Sequence, residues 1–200
     1  MTGILFYWIA WMLWVITTFL MRKSFKRTFL AAGILITILS SQLVLDFNGV
    51  KVNVSIAIIF IWTIIALAKQ SDWFLSIFRC LCIVFGYIGI LFWEQITPVW
   101  MIASRELILP LVGLVALWVL SSSNHERVVI WCMGTTTGEV LHSFILQSYG
   151  FQEVIGDMAF FDTLFVGLGF LSITFILKEI KLRMDLLIQI VEKQKKGVNP

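Results

Sequence analysis

Charged side chains are scarce in this sequence of 200 residues, where Asp, Glu, Lys and Arg together make up only 14%. Soluble domains carry about 25% charged residues, whereas 60% of this chain is hydrophobic and its mean hydropathy is +0.95. Water could not solvate a globule of that composition. The scarcity of charge therefore excludes a soluble domain and predicts an all-α, polytopic integral membrane bundle, in which each helix of about 20 residues crosses roughly 30 Å of hydrocarbon.

Cysteine and histidine are also few. The chain has three cysteines, Cys80, Cys82 and Cys132. An odd number, all within apolar segments, argues against a disulfide framework and predicts small buried side chains. Its two histidines, His125 and His142, are expected at different depths, so we predict no metal site and no cofactor.

Several functional motifs are missing as well. The sequence has no Ser/His/Asp arrangement, phosphate-binding loop or dinucleotide fingerprint, so an enzyme is the less favoured class. The net charge is +3, but the basic residues lie at the ends of apolar runs and form no patch interleaved with aromatic residues. We therefore expect no nucleic-acid partner, and interpret these cations as topology signals and contacts with anionic lipid.

Seven apolar stretches are separated by charged or turn-forming residues. They comprise residues 3–21, 28–45, 52–68, 73–93, 107–120, 128–149 and 159–177. The segment 94–106, with Pro98 and Trp100, is predicted as a loop or interfacial segment. The fifth stretch is short for a crossing unless residues 102–104 or 121–123 extend it. Arg79 lies within the fourth stretch, and its long side chain is expected to reach the headgroups by snorkelling.

The distribution of Lys and Arg predicts the orientation. With the N-terminus outside and seven crossings, every Lys and Arg except Lys51 and Arg105 lies on the cytoplasmic side. That asymmetry follows the positive-inside rule. Six crossings, with the fifth stretch folded back as a re-entrant segment, would put either the first basic loop or the basic tail on the wrong side. We therefore predict seven spans, an outside N-terminus and a cytoplasmic C-terminus.

Glu139 is the exception to this separation of charge from apolar sequence, because it lies near the middle of the sixth span. An ionised carboxylate at the centre of a membrane helix costs about 2.5 to 3.5 kcal/mol, so Glu139 should face the bundle and not the lipid. At helical offsets of three and four, it forms a polar stripe with further side chains on the same face. This polar stripe consists of Thr135, Thr136, Glu139, His142 and Ser143.

The sequence leaves two interpretations of the stripe open. One is a packing seam, because Gly134 and Gly138 form a G-x-x-x-G pattern that lets another helix approach closely. In that case the threonines are expected to hydrogen-bond across the contact and Glu139 to bond His142 or a neighbouring helix. Glycines in the fourth and seventh spans, at positions 86, 89, 167 and 169, offer matching small surfaces.

The other interpretation is a site for proton or cation handling, because a desolvated Glu has a raised pKa and a neighbouring His titrates near neutrality. His142 lies one turn outward of Glu139, and Asp162 could continue a relay to the outer surface, with Arg105 and Glu106 at its mouth. A di-iron site built on the E-x-x-H spacing would need a second such helix, and the membrane segments contain no other histidine.

The tail, residues 178–200, is predicted to be a basic amphipathic helix. Its apolar side chains recur at spacings of three and four, namely Ile180, Met184, Leu187, Ile188 and Val191. Such a helix lies on the anionic inner leaflet or extends the seventh span into the cytoplasm as a dimerisation or partner-binding helix. The alternative is that the tail is simply a charged stop-transfer end with a frayed terminus at residues 197–200.

The short N-terminus enters the first span with the aromatic residues Phe6, Tyr7, Trp8 and Trp11. In this feature, in its seven-span size and in its basic tail, the chain resembles the YphA-type membrane proteins of spore-forming bacteria. The resemblance implies a multi-pass protein of the bacterial cytoplasmic membrane and carries over no functional residue. We predict a non-enzymatic scaffold or accessory subunit with a homo-oligomeric or membrane-protein partner. The alternative is a small proton- or cation-coupled transporter that uses the polar stripe.

Overall fold

A computed structural model describes residues 2–47, 49–70, 72–97, 104–152 and 154–197, without the side chains of residues 26, 47, 186, 187 and 190–197. The described residues form α1 Ile4–Val15, α2 Phe25–Ser40, α3 Val54–Ala68, α4 Trp73–Ile96, α5 Arg105–Leu120, α6 Asn124–Ser148 and α7 Met158–Gly197. Each predicted span overlaps one of these helices. α1 continues as a π-helical segment, Ile16–Leu20. Pro98 and Trp100 of the predicted loop lie outside the described residues.

Besides the helices, the described residues form a small sheet at one end of the bundle. Strands β1 Val44–Phe47 and β2 Val50–Asn53 are antiparallel, and β3 Val154–Ile155 lies parallel to β2. α2 ends at Ser40, whereas the sequence predicts that the second span continues to residue 45. The apolar residues 44 and 45 belong instead to a strand that is too short to show an alternating pattern, and the tight turn after it uses Gly49 at φ 89°.

Two helices in the described part of the chain have both the length and the hydropathy of a membrane span, α4 and the Met158–Asp185 part of α7. Three further apolar segments are shorter, Ile4–Leu20, Arg27–Ser40 and Val54–Ala68. α5 ends at Leu120 and Ser121 is extended, so residues 121–123 do not lengthen it as one prediction allowed. Seven crossings therefore stay a prediction.

α7 runs without a break from Met158 to Gly197. The predicted boundary between the seventh span and the tail, at residues 177 and 178, does not appear as a change in the backbone. Of the two arrangements expected for the tail, the structure has the one in which it extends the last helix.

α6 lies at the centre of the bundle, where it packs against α3, α4, α5 and α7. Its Trp131 is 2% exposed and fills the space between Gly113 of α5 and Gly167 of α7. A Cβ atom at Gly167 would come within 2.4 Å of the indole, so a side chain there is incompatible with this packing. The indole Nε1 donates a hydrogen bond of 3.0 Å to the carbonyl of Leu164, which satisfies the buried polar atom.

The cysteines are all free thiols, but they are not all buried as predicted. Cys80 and Cys132 are buried, whereas Cys82 is exposed. Cys82 lies two residues from Cys80 on α4 and therefore on a different face of that helix. An apolar segment alone does not indicate which of its faces is packed.

Candidate functional site

The polar stripe lies beside the close contact of α4 with α6, which we call the glycine seam: Gly134 and Gly138 of α6 against Ile83 and Tyr87 of α4. A Cβ atom at Gly134 would come within 2.6 Å of Ile83 Cγ2, and one at Gly138 within 2.8 Å of Tyr87 Cδ1. The absence of side chains at these positions is therefore what allows the helices to approach so closely.

The glycines of α4 do not contribute to this seam as expected. A Cβ atom at Gly86 or Gly89 would meet no atom within 4 Å. The surfaces that fit Gly134 and Gly138 are the larger side chains Ile83 and Tyr87, so the contact is formed by side chains against glycines and not by small residues on both helices.

The threonines of the stripe do not hydrogen-bond across the seam, so that expectation is wrong. Thr135 Oγ1 donates to the carbonyl of Trp131 at 2.8 Å, and Thr136 Oγ1 donates to the carbonyl of Cys132 at 2.6 Å. Bonds to the carbonyl one turn earlier are the common choice of threonine in a helix that lacks water. Both residues are fully buried, so they are satisfied within α6 and offer no free hydroxyl.

Glu139 is 6% exposed, and its Oε2 accepts a hydrogen bond of 2.8 Å from the hydroxyl of Tyr87. His142 and Ser143 are also buried. His142 Nε2 lies 3.4 Å from Gln95 Nε2, and its ring centroid lies 5.1 Å from that of Phe92. The structure thus buries Glu139 and His142 against α4, where Tyr87 contacts Glu139 and the exposed Gln95 lies next to His142.

Arg105, at the start of α5, is electrostatically linked to this group. Its Nη2 lies 3.6 Å from Asp157 Oδ1, and its charge also acts on Tyr87 and Glu139. Burial alone would lower the pKa of Arg105, but Asp157 and these further groups outweigh burial and hold the pKa above its usual value. Arg105 therefore stays a cation at the end of the bundle that lies beyond His142.

Asp162 has a different environment from the one that a relay would need. Its two carboxylate oxygens accept hydrogen bonds from the backbone N–H groups of Gly3, at 2.6 Å, and Phe6, at 2.7 Å. A carboxylate at the N-terminus of a helix satisfies unpaired N–H groups and interacts favourably with the helix dipole. Asp162 thus fastens the start of α1 to α7, and a relay through it stays a prediction.

A second polar group, the Glu126 cluster, lies at the opposite end of α6. Glu126 accepts hydrogen bonds from Ser121, at 2.5 Å, and Ser76, at 3.2 Å, and forms an ion pair with Arg79. Arg79 is therefore engaged by a carboxylate, whereas we expected it to reach the headgroups. Burial raises the pKa of Glu126, but these hydrogen bonds and the Arg79 charge outweigh burial and lower the pKa below its usual value.

Sequence reasoning missed the role of Tyr87. The available signal was a tyrosine in the interior of an apolar span, because a buried phenol needs a hydrogen-bond partner and a buried carboxylate needs a donor. Within the residues that the structure describes, no group of three or more His, Cys, Asp and Glu side chains could hold a metal ion.

Comparison with known proteins gives one family and one relative. Residues 2–197 match the family described as YphA-like integral membrane protein. The chain is 26% identical to "Uncharacterized protein YphA" of Bacillus subtilis (strain 168), over 82% of each chain. No solved structure matches.

Proposed function

Because the chain belongs to the YphA-like family of integral membrane proteins, we propose that it is a seven-span protein of the bacterial cytoplasmic membrane that acts as a scaffold or accessory subunit and not as an enzyme. Its N-terminus lies outside and its C-terminal helix lies in the cytoplasm.

The contacts between loops support this topology. With seven crossings, the loops before α3, before α5 and before α7 lie outside. β2 pairs with β3, and Arg105 forms an ion pair with Asp157, so these three loops meet at one end of the bundle. The loops before α4 and before α6 belong to the inner side, and Ser76 links them through hydrogen bonds to Gln70 and Glu126.

The closed glycine seam is the observation that carries the scaffold proposal. Glu139 costs free energy to place in a membrane, and here it accepts a hydrogen bond from Tyr87 beside two glycines packed against side chains. The threonines of the stripe are bonded within their own helix. A buried polar group arranged in this way specifies which helices pair, and that is a structural task.

α7 provides a surface for a partner. Its 40 residues span roughly 60 Å at 1.5 Å per residue, about twice the hydrocarbon thickness. The part beyond the membrane exposes Ile180, Met184 and Ile188 at intervals of four residues. An apolar stripe on a basic helix that projects from the bilayer fits a helical partner or a second copy of the chain.

The test is purification from native membranes of the tagged full-length protein and of a triple variant, Ile180→Gln, Met184→Gln and Ile188→Gln. We expect a stoichiometric partner, or a dimer, that co-purifies with the wild type and is lost from the triple variant. Gln189→Ala, at an exposed polar position of the same helix, is the matched control and should retain the partner. A wild type that purifies as a monomer with nothing bound would contradict the proposal.

A proton- or cation-coupled carrier is the second candidate, favoured by the proximity of the Arg105 charge to Glu139 and Tyr87. Its test is flux in proteoliposomes under a pH or cation gradient, with Glu139→Gln as the variant. Flux in the wild type that is abolished by this change, but kept by Gly86→Ala, would establish the carrier and overturn the scaffold. Absence of flux in both supports the scaffold.

A further inference from the structure

Two adjoining cavities lie on the side of α6 that faces away from α4. The inner cavity, of about 410 Å³, lies between α1, α2, α3, α6 and α7, and the larger one, of about 780 Å³, continues from it towards the Glu126 end of the bundle. They share the lining residues Leu13, Thr17, Leu30, His125, Val128 and Ser172. They therefore form one continuous space, the apolar groove.

The walls of the groove are mostly aliphatic and aromatic. Ile59, Trp62 and Leu168 line its inner part, and the few polar side chains there include Thr37 and Thr63. Thr37 Oγ1 and Thr63 Oγ1 each donate to a carbonyl of their own helix, so neither needs a ligand. Apolar cavities of about 150 Å³ already stay dry and bind small hydrocarbons, and this one is larger.

The π-helical segment forms one wall near the mouth. Ile16, Thr17 and Leu20 line the outer cavity, and Thr17 is buried. Single π-helical turns are rare and occur frequently at functional sites. The carbonyl of Thr18 accepts a hydrogen bond of 3.4 Å from Arg27 Nη1, which places a guanidinium next to this wall.

The mouth of the groove is lined by polar residues and has further basic residues beside it. Asn124, His125, Glu179 and Arg183 line it, and Arg183 forms an ion pair of 3.2 Å with Glu179. Lys178 and Lys181 line a neighbouring hollow that also contains Asp185. Arg22 and Lys23 follow directly on Met21 of the wall, so cations outnumber carboxylates where the groove opens.

We infer that the apolar groove binds one acyl chain of an anionic phospholipid, with the headgroup phosphate at Arg183 and the neighbouring basic residues. The assignment of this lipid to the cytoplasmic leaflet rests on the proposed orientation of the chain. An empty apolar space forfeits the dispersion contacts of its lining, and acyl chains are the apolar molecules at hand in a bilayer. The basic mouth selects an anionic headgroup over a zwitterionic one.

The test is native mass spectrometry of the delipidated full-length protein in detergent, after incubation with phosphatidylglycerol or with phosphatidylcholine of the same chains. We expect the wild type to retain one phosphatidylglycerol per chain and to prefer it over phosphatidylcholine. Ala66→Phe, which fills the inner cavity, should weaken retention of phosphatidylglycerol about tenfold or more, because the acyl chain then buries less apolar surface. Arg183→Gln should lower the preference for phosphatidylglycerol, so that the variant retains the two lipids to more similar extents.

Ala32→Phe is the matched control, since Ala32 is exposed on α2, and it should bind as the wild type does. Ile34→Phe also narrows the inner cavity and replaces Ala66→Phe if that variant does not fold. Equal retention of the two lipids by the wild type, or unchanged retention in the cavity-filling variant, would overturn the inference. So would a bound mass that corresponds to a free fatty acid or a second chain in place of phosphatidylglycerol.

Discussion

The two sides of α6 are packed differently. Next to the glycine seam and Trp131, on the side of α4 and α5, lies a space of about 50 Å³, whereas the opposite side of this part of α6 borders cavities of about 410 and 780 Å³. The polar stripe with Glu139 is associated with the closed side, and the open side is lined mainly by apolar residues. In this bundle, polar side chains therefore lie where helices are fixed to each other, and open space lies where a ligand fits.

The largest effect is expected where a side chain is added to the closed side. Gly138→Leu forces atoms into the position of Tyr87, and overpacking of this kind costs about 1 to 3 kcal/mol or more. We expect a large loss of monodisperse protein in detergent and a lower melting temperature. Gly86→Leu is the control, because nothing lies within 4 Å of a Cβ atom there. If both variants melt alike, the seam is not closely packed.

A smaller loss is expected from Tyr87→Phe, which removes the hydroxyl that donates to Glu139 at 2.8 Å. Taking one hydrogen bond from a buried carboxylate costs about 1 to 3 kcal/mol. Tyr149→Phe, at an exposed tyrosine, serves as the control for the chemical change. Thermal unfolding of the two variants measures the difference, and equal melting temperatures would mean that Glu139 does not depend on this donor.

The smallest effect concerns the Glu126 cluster, where the dependence on pH can be read directly. The pKa of Glu126 is lower in the folded protein than its usual value of 4.5. Its contribution to stability is therefore complete above that value and is lost as pH falls through the lower folded pKa. As pH is lowered from 6, the melting temperature should fall more steeply for the wild type than for Glu126→Gln. An equal dependence of the melting temperature on pH in the two proteins would refute the stabilising role of the Glu126 carboxylate.

The sequence predicted the helices well where charges bound them. α4 begins at Trp73 and α3 ends at Ala68, as the flanking charges indicate, because desolvation of Lys or Asp is costly enough to fix a span end. The end of α2 was misplaced because residues 44 and 45 are apolar in a strand as well as in a helix. Pairing of β2 with β3 depends on a contact between loops more than a hundred residues apart, which no local pattern contains.

The candidate site was predictable in its composition and not in its partners. Helical spacing places Glu139 and His142 on one face, but it does not reveal which helix they face, so Tyr87 and Gln95 were missed. The Gly134 and Gly138 pattern indicates close approach without naming Ile83 as the neighbour. The apolar groove left no trace in the sequence, because an apolar residue that lines a cavity is the same as one that contacts lipid.

The asymmetry of α6 is tested most directly by the reactivity of two matched cysteines. Thr37→Cys, in the wall of the groove, and Thr135→Cys, in the polar stripe, replace threonines that are 5% and 0% exposed, in a chain whose Cys80, Cys82 and Cys132 are Ala. Folded, delipidated protein in detergent is treated with N-ethylmaleimide and the modified fraction is followed over time. We expect rapid modification at position 37 and modification at position 135 only after denaturation. Equal rates at the two positions would show that the two sides of α6 are packed alike.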